Sequence, residues 1–82
     1  MVGHRSRAMI TIQIKLGRAV RRLRAQADYS QESFAAAAGI HRTYMGLVER
    51  GRVAATIITI QKISTALGIS PSQLLAEAEH EH

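Results

Sequence analysis

Helix start and stop signals recur so often in this chain that no long element fits between them after residue 30. Ser30 is placed to cap a helix and Gly39 to end it. A second segment runs from about Arg42 to Arg50 and stops at Gly51. Thr56 opens a third over residues 57–67, which Gly68 closes, and Ser70-Pro71 opens a fourth. Each signal has a local cause. A serine or threonine oxygen accepts an orphaned backbone N–H at a helix start. Proline at the first helical position lacks only an N–H that had no partner. Glycine at the stop takes a left-handed conformation without a Cβ penalty. Between the signals, apolar residues recur at helical spacing. Phe34, Ala35 and Ala38 form one stripe, and Met45 with Val48 a second. Ile57, Ile60, Ile63 and Leu67 form a third, expected on the core side. Leu74 and Leu75 follow.

The start of the chain is less clear. Residues 1–9 show no apolar period and read as a flexible basic tail, with Met9 as an alternative start. Ile10, Ile12, Ile14 and Leu16 alternate as in a strand, whereas Leu16, Val20, Leu23 and Ala27 continue at helical spacing. The second pattern predicts a helix from about Thr11 to Ala27. The expected fold class is therefore all-α: five short helices forming one domain over residues 10–79, with 80–82 as a C-terminal tail.

Composition narrows the chemistry. A chain of 82 residues, 46% apolar and 21% charged, supports one modest core. It has no cysteine, so disulfides, thiolate metal sites and cysteine nucleophiles are excluded. No uncharged run approaches the roughly 18–20 residues of a membrane span, and the basic start lacks the apolar stretch of a secretory signal. Arg5, Arg7, Lys15, Arg18, Arg21, Arg22 and Arg24 crowd residues 1–24 without a single acid, within a net charge of +5. Glu77, Glu79 and Glu81 sit at the other end. A polyanion would meet the basic end, and charge alone fits nucleic acid or an anionic membrane. The imidazoles are His4, His41, His80 and His82. No carboxylate pair, Ser/His/Asp set, Gly-rich phosphate loop or HExxH pattern accompanies them. No catalytic residue, cofactor, metal or small-molecule substrate is expected, and the terminal His-Glu-His reads as solvated tail.

The informative stretch is Ser30 to Gly51. Two short helices meet at a tight turn containing Gly39, and the small residues Ala35 to Ala38 let the backbones approach at a steep crossing. That is the geometry of a helix-turn-helix. The second helix is expected to present Arg42, Thr43, Gly46 and Leu47 outward while Met45 and Val48 hold it to the core. A helix of this kind fits the major groove of B-DNA.

Residues 16–75 resemble the lambda-repressor-like helix-turn-helix domains of the Cro or XRE family. The resemblance is carried by LGRAVRRLR, YSQESFAAAAGIHRTYMGLVERG and TIITIQKISTALGISPSQLL. Within that family, HRTYMGLVER is similar to the recognition region of controller proteins from restriction-modification systems. The resemblance implies a cytoplasmic, nucleoid-associated transcriptional regulator that binds a palindromic operator in double-stranded DNA as a homodimer. It leaves open a protein-interaction module and an antitoxin or phage-type repressor.

The resemblance also implies residue roles. Gln31 would bond a phosphate or outer base. Arg42 and Thr43 would read bases, and a guanidinium suits guanine O6 and N7. Tyr44 would pack or reach a phosphate, and His41 would cap the helix or touch DNA. Gly46 would allow close approach to DNA, and Leu47 would meet a thymine methyl or simply pack. Val53, Ala54 and Ala55 replace the family's usual basic residue, Asn and Pro, which leaves Arg50 and Arg52 as the loop's phosphate contacts. Glu49 would pair structurally with Arg24. For the homodimer, Ile58 is expected to point away from the core, and only one of Leu74 and Leu75 can face inward. With Ile69 these residues form the expected interface.

Overall fold

The computed structural model describes residues 2–81, and side chains from Ile12 to Glu81. Met1, His82 and the side chains of residues 2–11, including His4, Arg5 and Arg7, lie outside the described part. Five helices follow one another: α1 Val2–Gln26, α2 Gln31–Ala38, α3 Arg42–Glu49, α4 Ile57–Leu67 and α5 Pro71–Glu79. There is no strand among the described residues.

Helical spacing prevails over alternation in residues 10–16. The helical backbone also extends back to Val2, through residues read above as a tail. Arg, Ala and Met are good helix formers, and each residue added to an existing helix gains a hydrogen bond without a new nucleation cost. Asp28, at φ 64°, turns the chain out of α1. The short polar side chain of an aspartate tolerates that left-handed conformation.

The caps operate as their chemistry suggests. Ser33 N donates to Ser30 Oγ, and Ser30 N donates back to Ser33 Oγ, each at 3.0 Å. Thr56 accepts from Thr59 N and Ser70 from Gln73 N, both at 3.1 Å. Gly39 and Gly68 close α2 and α4 in the left-handed region. At the α2–α3 turn, Ile40 N donates to Ala35 O at 2.9 Å, a second bond to the carbonyl that also accepts from Gly39 N, which closes the end of α2.

The core gathers Leu16, Ala19 and Val20 of α1, Phe34, Ala35 and Ala38 of α2, Met45 and Val48 of α3, Ile63 of α4, and Leu74 and Ala78 of α5. Tyr29 lies against Phe34 with ring centroids 5.2 Å apart. Ile57 is 82% exposed rather than on the core side. It lies at the first position of α4, about 60° around the helix from Ile60. Leu74 is fully buried in the core of its own chain, so it cannot line a dimer interface. The inward place on α5 goes to Leu74 and the outward one to Leu75.

Gly17 fixes how α1 meets α3. A Cβ there would stand 2.5 Å from the carbonyl oxygens of both Val48 and Glu49. Only a glycine lets the C-terminal end of α3 rest on α1. At the far side, Arg22 ties α1 to the chain end. Its Nε donates to Glu81 Oε2 at 2.6 Å and its Nη2 to Glu77 Oε1 at 2.8 Å. Glu81, in the segment read as a tail, is thereby held.

Candidate nucleic-acid interface

α3 begins at an unusual cap. His41 is an exposed N-cap residue whose Nδ1 accepts a hydrogen bond from Thr43 N at 3.1 Å. That bond requires an unprotonated Nδ1 and orients the ring over the first turn. Of the two roles open to His41, the structure displays the capping one.

Arg42 follows at the first helical position, with Thr43 beside it, both exposed. Arg42 Nη1 donates to Glu32 Oε2 of α2 at 2.6 Å. The pair is open to solvent, with side chains 64% and 73% exposed. An exposed ion pair contributes only about 0–1 kcal/mol, so a competing acceptor can displace it at little cost. Sequence reasoning missed Glu32. Its signal lay in position, since residues early in one helix of such a pair face the start of the next.

Tyr44 is half-buried and packs against the core, and Leu47 is half-buried. Gly46, expected to face outward, is buried instead. The cause is Arg50, whose guanidinium folds back along α3. A Cβ on Gly46 would lie 3.1 Å from Arg50 Nη1 and 3.4 Å from Gln31 Oε1. The glycine makes room for an arginine head rather than for DNA itself.

Beneath this surface sits a second arginine–carboxylate pair. Arg24 Nε donates to Glu49 Oε2 at 2.6 Å and Nη2 to Glu49 Oε1 at 3.0 Å, a bidentate fork. Arg24 Nη1 also donates to Tyr29 O at 2.9 Å. Gln31 Nε2 donates to Glu49 Oε1 at 3.1 Å. Gln31, which the resemblance places at a phosphate or outer base, thus also braces α3. The pair is 13% and 3% exposed. Hydrogen bonding to Glu49 raises the Arg24 pKa above its ordinary value. Glu49 near the C-terminus of α3 opposes the helix dipole, and Arg24 offsets that charge while holding the end of α3 to α1.

Arg50 and Arg52 are exposed at the C-terminal end of α3. Of the residues assigned to an interface between copies, Ile58 is 58% exposed and Leu75 is exposed, while Ile69 packs partly against the core.

A supporting helix, a tight turn and an exposed helix headed by Arg42 and Thr43 define the helix-turn-helix class of DNA-binding transcriptional regulators. The helix-turn-helix family model matches residues 20–74, and the chain belongs to that family in its Cro/XRE-type form. The family is one of transcriptional regulators rather than enzymes. Among relatives, the chain is similar to the control protein C.MunI of a Mycoplasma species, 39% identical over 74 residues, which cover 89% of this chain and all of that one. It is 40% identical to the control protein C.BamHI of Bacillus amyloliquefaciens over 65 residues, covering 78% of this chain and 80% of the relative. The crystal structure of the restriction-modification controller protein C.AhdI from Aeromonas hydrophila superposes with a TM-score of 0.73 at 40% identity. That match covers 76% of this chain and 94% of the controller. No helix among the described residues is long and apolar enough to cross a membrane.

Proposed function

We propose that this chain is a controller protein of a restriction-modification system that binds a palindromic operator as a homodimer. The observation that carries the reading is the exposed start of α3. Arg42 and Thr43 stand clear of the core on a helix whose other end is fixed by the Arg24–Glu49 fork. The similarity to C.MunI over its whole length supports the assignment within the family. In this reading α3 lies in the major groove, Arg42 exchanges Glu32 for guanine O6 and N7, and Thr43 meets an adjacent base.

The second copy joins at the α4–α5 end. Ile12 and Leu75 line an apolar groove of about 430 Å³ with Ala54, Ala55 and Ile60. Exposed Ile57 and Ile58 stand in the chain between Ala55 and Ile60. A two-fold axis there would set two copies of α3 about one turn of DNA apart. Ile58→Glu is expected to give a folded monomer by light scattering at micromolar concentration.

A gel shift against DNA upstream of the protein's own gene, with a salt titration, tests the reading. Binding should be selective over random DNA and weaken steeply with salt. An interaction module that keeps the fold without reading DNA would give no shift.

A further inference from the structure

The helix starts of α2 to α5 differ in one chemical respect. α2, α4 and α5 are capped by the hydroxyl oxygens of Ser30, Thr56 and Ser70, groups that stay neutral across the physiological pH range. α3 alone among them is capped by an imidazole, His41 Nδ1 accepting from Thr43 N at 3.1 Å. Histidine is the side chain whose charge ordinarily changes between about pH 5 and 8. The helix that carries Arg42 and Thr43 is thus the one whose first turn hangs on a titratable acceptor.

The bond fixes the state of the ring. With Nδ1 accepting, the neutral ring carries its proton on Nε2. A proton on Nδ1 would replace the acceptor with a donor aimed at another donor, leaving Thr43 N without its cap. The same proton would add positive charge beside Arg42, at the positive end of the α3 dipole. Both changes loosen the first turn. No carboxylate among the described residues forms an ion pair with His41. α3 packs against α1 and α2. Glu32 is the one ionisable residue of α2, and its carboxylate accepts from Arg42. The arginines of α1 that reach α3, Arg18, Arg21 and Arg24, gather with Glu49 and Arg50 at its C-terminal end. His41 itself is exposed, so a proton reaches it without any opening of the fold.

We propose that His41 is a positioning residue that makes base reading pH-dependent: its neutral ring holds the first turn of α3, and protonation releases that turn, so selectivity for the operator falls on acidification. The proposal rests on the DNA-binding reading and adds a control to it. Its sign separates it from a simple charge effect. Positive charge added beside DNA raises affinity for any duplex. A loosened first turn penalises only the contacts that depend on where Arg42 and Thr43 stand. Acidification therefore lowers the ratio of operator to random-duplex affinity while random binding holds or rises.

The test compares wild type with His41→Asn, since asparagine is a favoured N-cap that carries no charge. Affinities for DNA upstream of the protein's own gene and for random duplex are measured at about pH 8 and about pH 5.5, on either side of the usual histidine range. Wild-type selectivity should fall by about five-fold, the scale of one lost N-cap, and that of His41→Asn should stay level. In parallel, NMR follows the Thr43 amide of free wild-type protein over the same range, and its resonance should move together with the His41 ring. A Thr43 amide that does not follow the ring would overturn the proposal, whatever the DNA affinities. So would selectivity profiles that coincide for wild type and His41→Asn. A wild-type selectivity that rises on acidification would also overturn it and make the ring a charge contact. If wild type shows no operator preference at either pH, the DNA-binding reading fails separately, and the Thr43 titration still decides whether His41 switches the start of α3.

Discussion

Two arginine–carboxylate pairs bracket α3, and they differ in almost every respect except chemistry. Arg24 and Glu49, at the C-terminal end of α3, form a buried bidentate fork with further bonds to Tyr29 O and Gln31. Arg42 and Glu32, at its N-terminal end, meet through one contact in open solvent. Burial decides what each can do. Breaking the first leaves a charge stranded away from water, so that pair holds structure. Breaking the second returns both charges to water, so Arg42 is free to exchange partners. The helix is anchored at one end and available at the other.

The largest way to break this contrast is Glu49→Ala. Removing one partner of a buried pair costs about 3–5 kcal/mol, and chemical denaturation should register a loss of that size. A loss below about 1 kcal/mol would place the pair in the exposed class. On the guanidinium side the raised Arg24 pKa implies a stabilisation present below the ordinary arginine range and lost only as pH rises through the higher folded value. Ionisation of Arg24 therefore adds no pH dependence near neutrality.

Gly17→Ala tests the same anchor sterically. The new methyl would meet two carbonyl oxygens at 2.5 Å, and both belong to backbone that cannot turn aside. Overpacking of this kind costs about 1–3 kcal/mol, more than the helix propensity gained. Gly46→Ala meets only the movable ends of the Arg50 and Gln31 side chains. It should leave stability unchanged or raise it by up to about 1 kcal/mol. Thermal melts of the two variants should move apart, and a Gly17→Ala variant that melts no lower than wild type would show that α1 and α3 are not in that close contact.

At the exposed end the effects move from folding to binding. Arg42→Ala should leave stability nearly untouched and cost about 1–3 kcal/mol of operator affinity, read by fluorescence anisotropy. Smallest of all, Glu32→Ala should change folding stability by less than about 1 kcal/mol. A larger effect in denaturation would mean that Glu32 holds the turn between α2 and α3.

The same contrast explains what could be read from the chain. Caps and stops depend on neighbours in sequence, so Ser30, Gly39, Thr56, Gly68 and Ser70-Pro71 placed α2 through α5 correctly. The Arg24–Glu49 contact came through family resemblance, since nothing local links residues 25 positions apart. Gly17 was passed over although a glycine inside a helix of good helix formers signals close approach. Gly46 was assigned that role toward DNA, but its close neighbours are Arg50 and Gln31. Ile57 and Leu74 were misplaced because periodicity gives an angle around a helix, while burial depends on what lies beside each turn. Residues 2–9 read as a tail in the sequence because they lack an apolar period, and helix propagation does not require one.

In the proposed function, α3 reads DNA through Arg42. Selection from a randomised duplex library, run with wild type and with Arg42→Ala, tests it most directly by reporting preference at every base position. Wild type should select a two-fold-symmetric motif, with a guanine in each half-site whose preference collapses in Arg42→Ala while the other positions persist. A wild-type profile with no motif, or a guanine preference that survives the loss of Arg42, would contradict it.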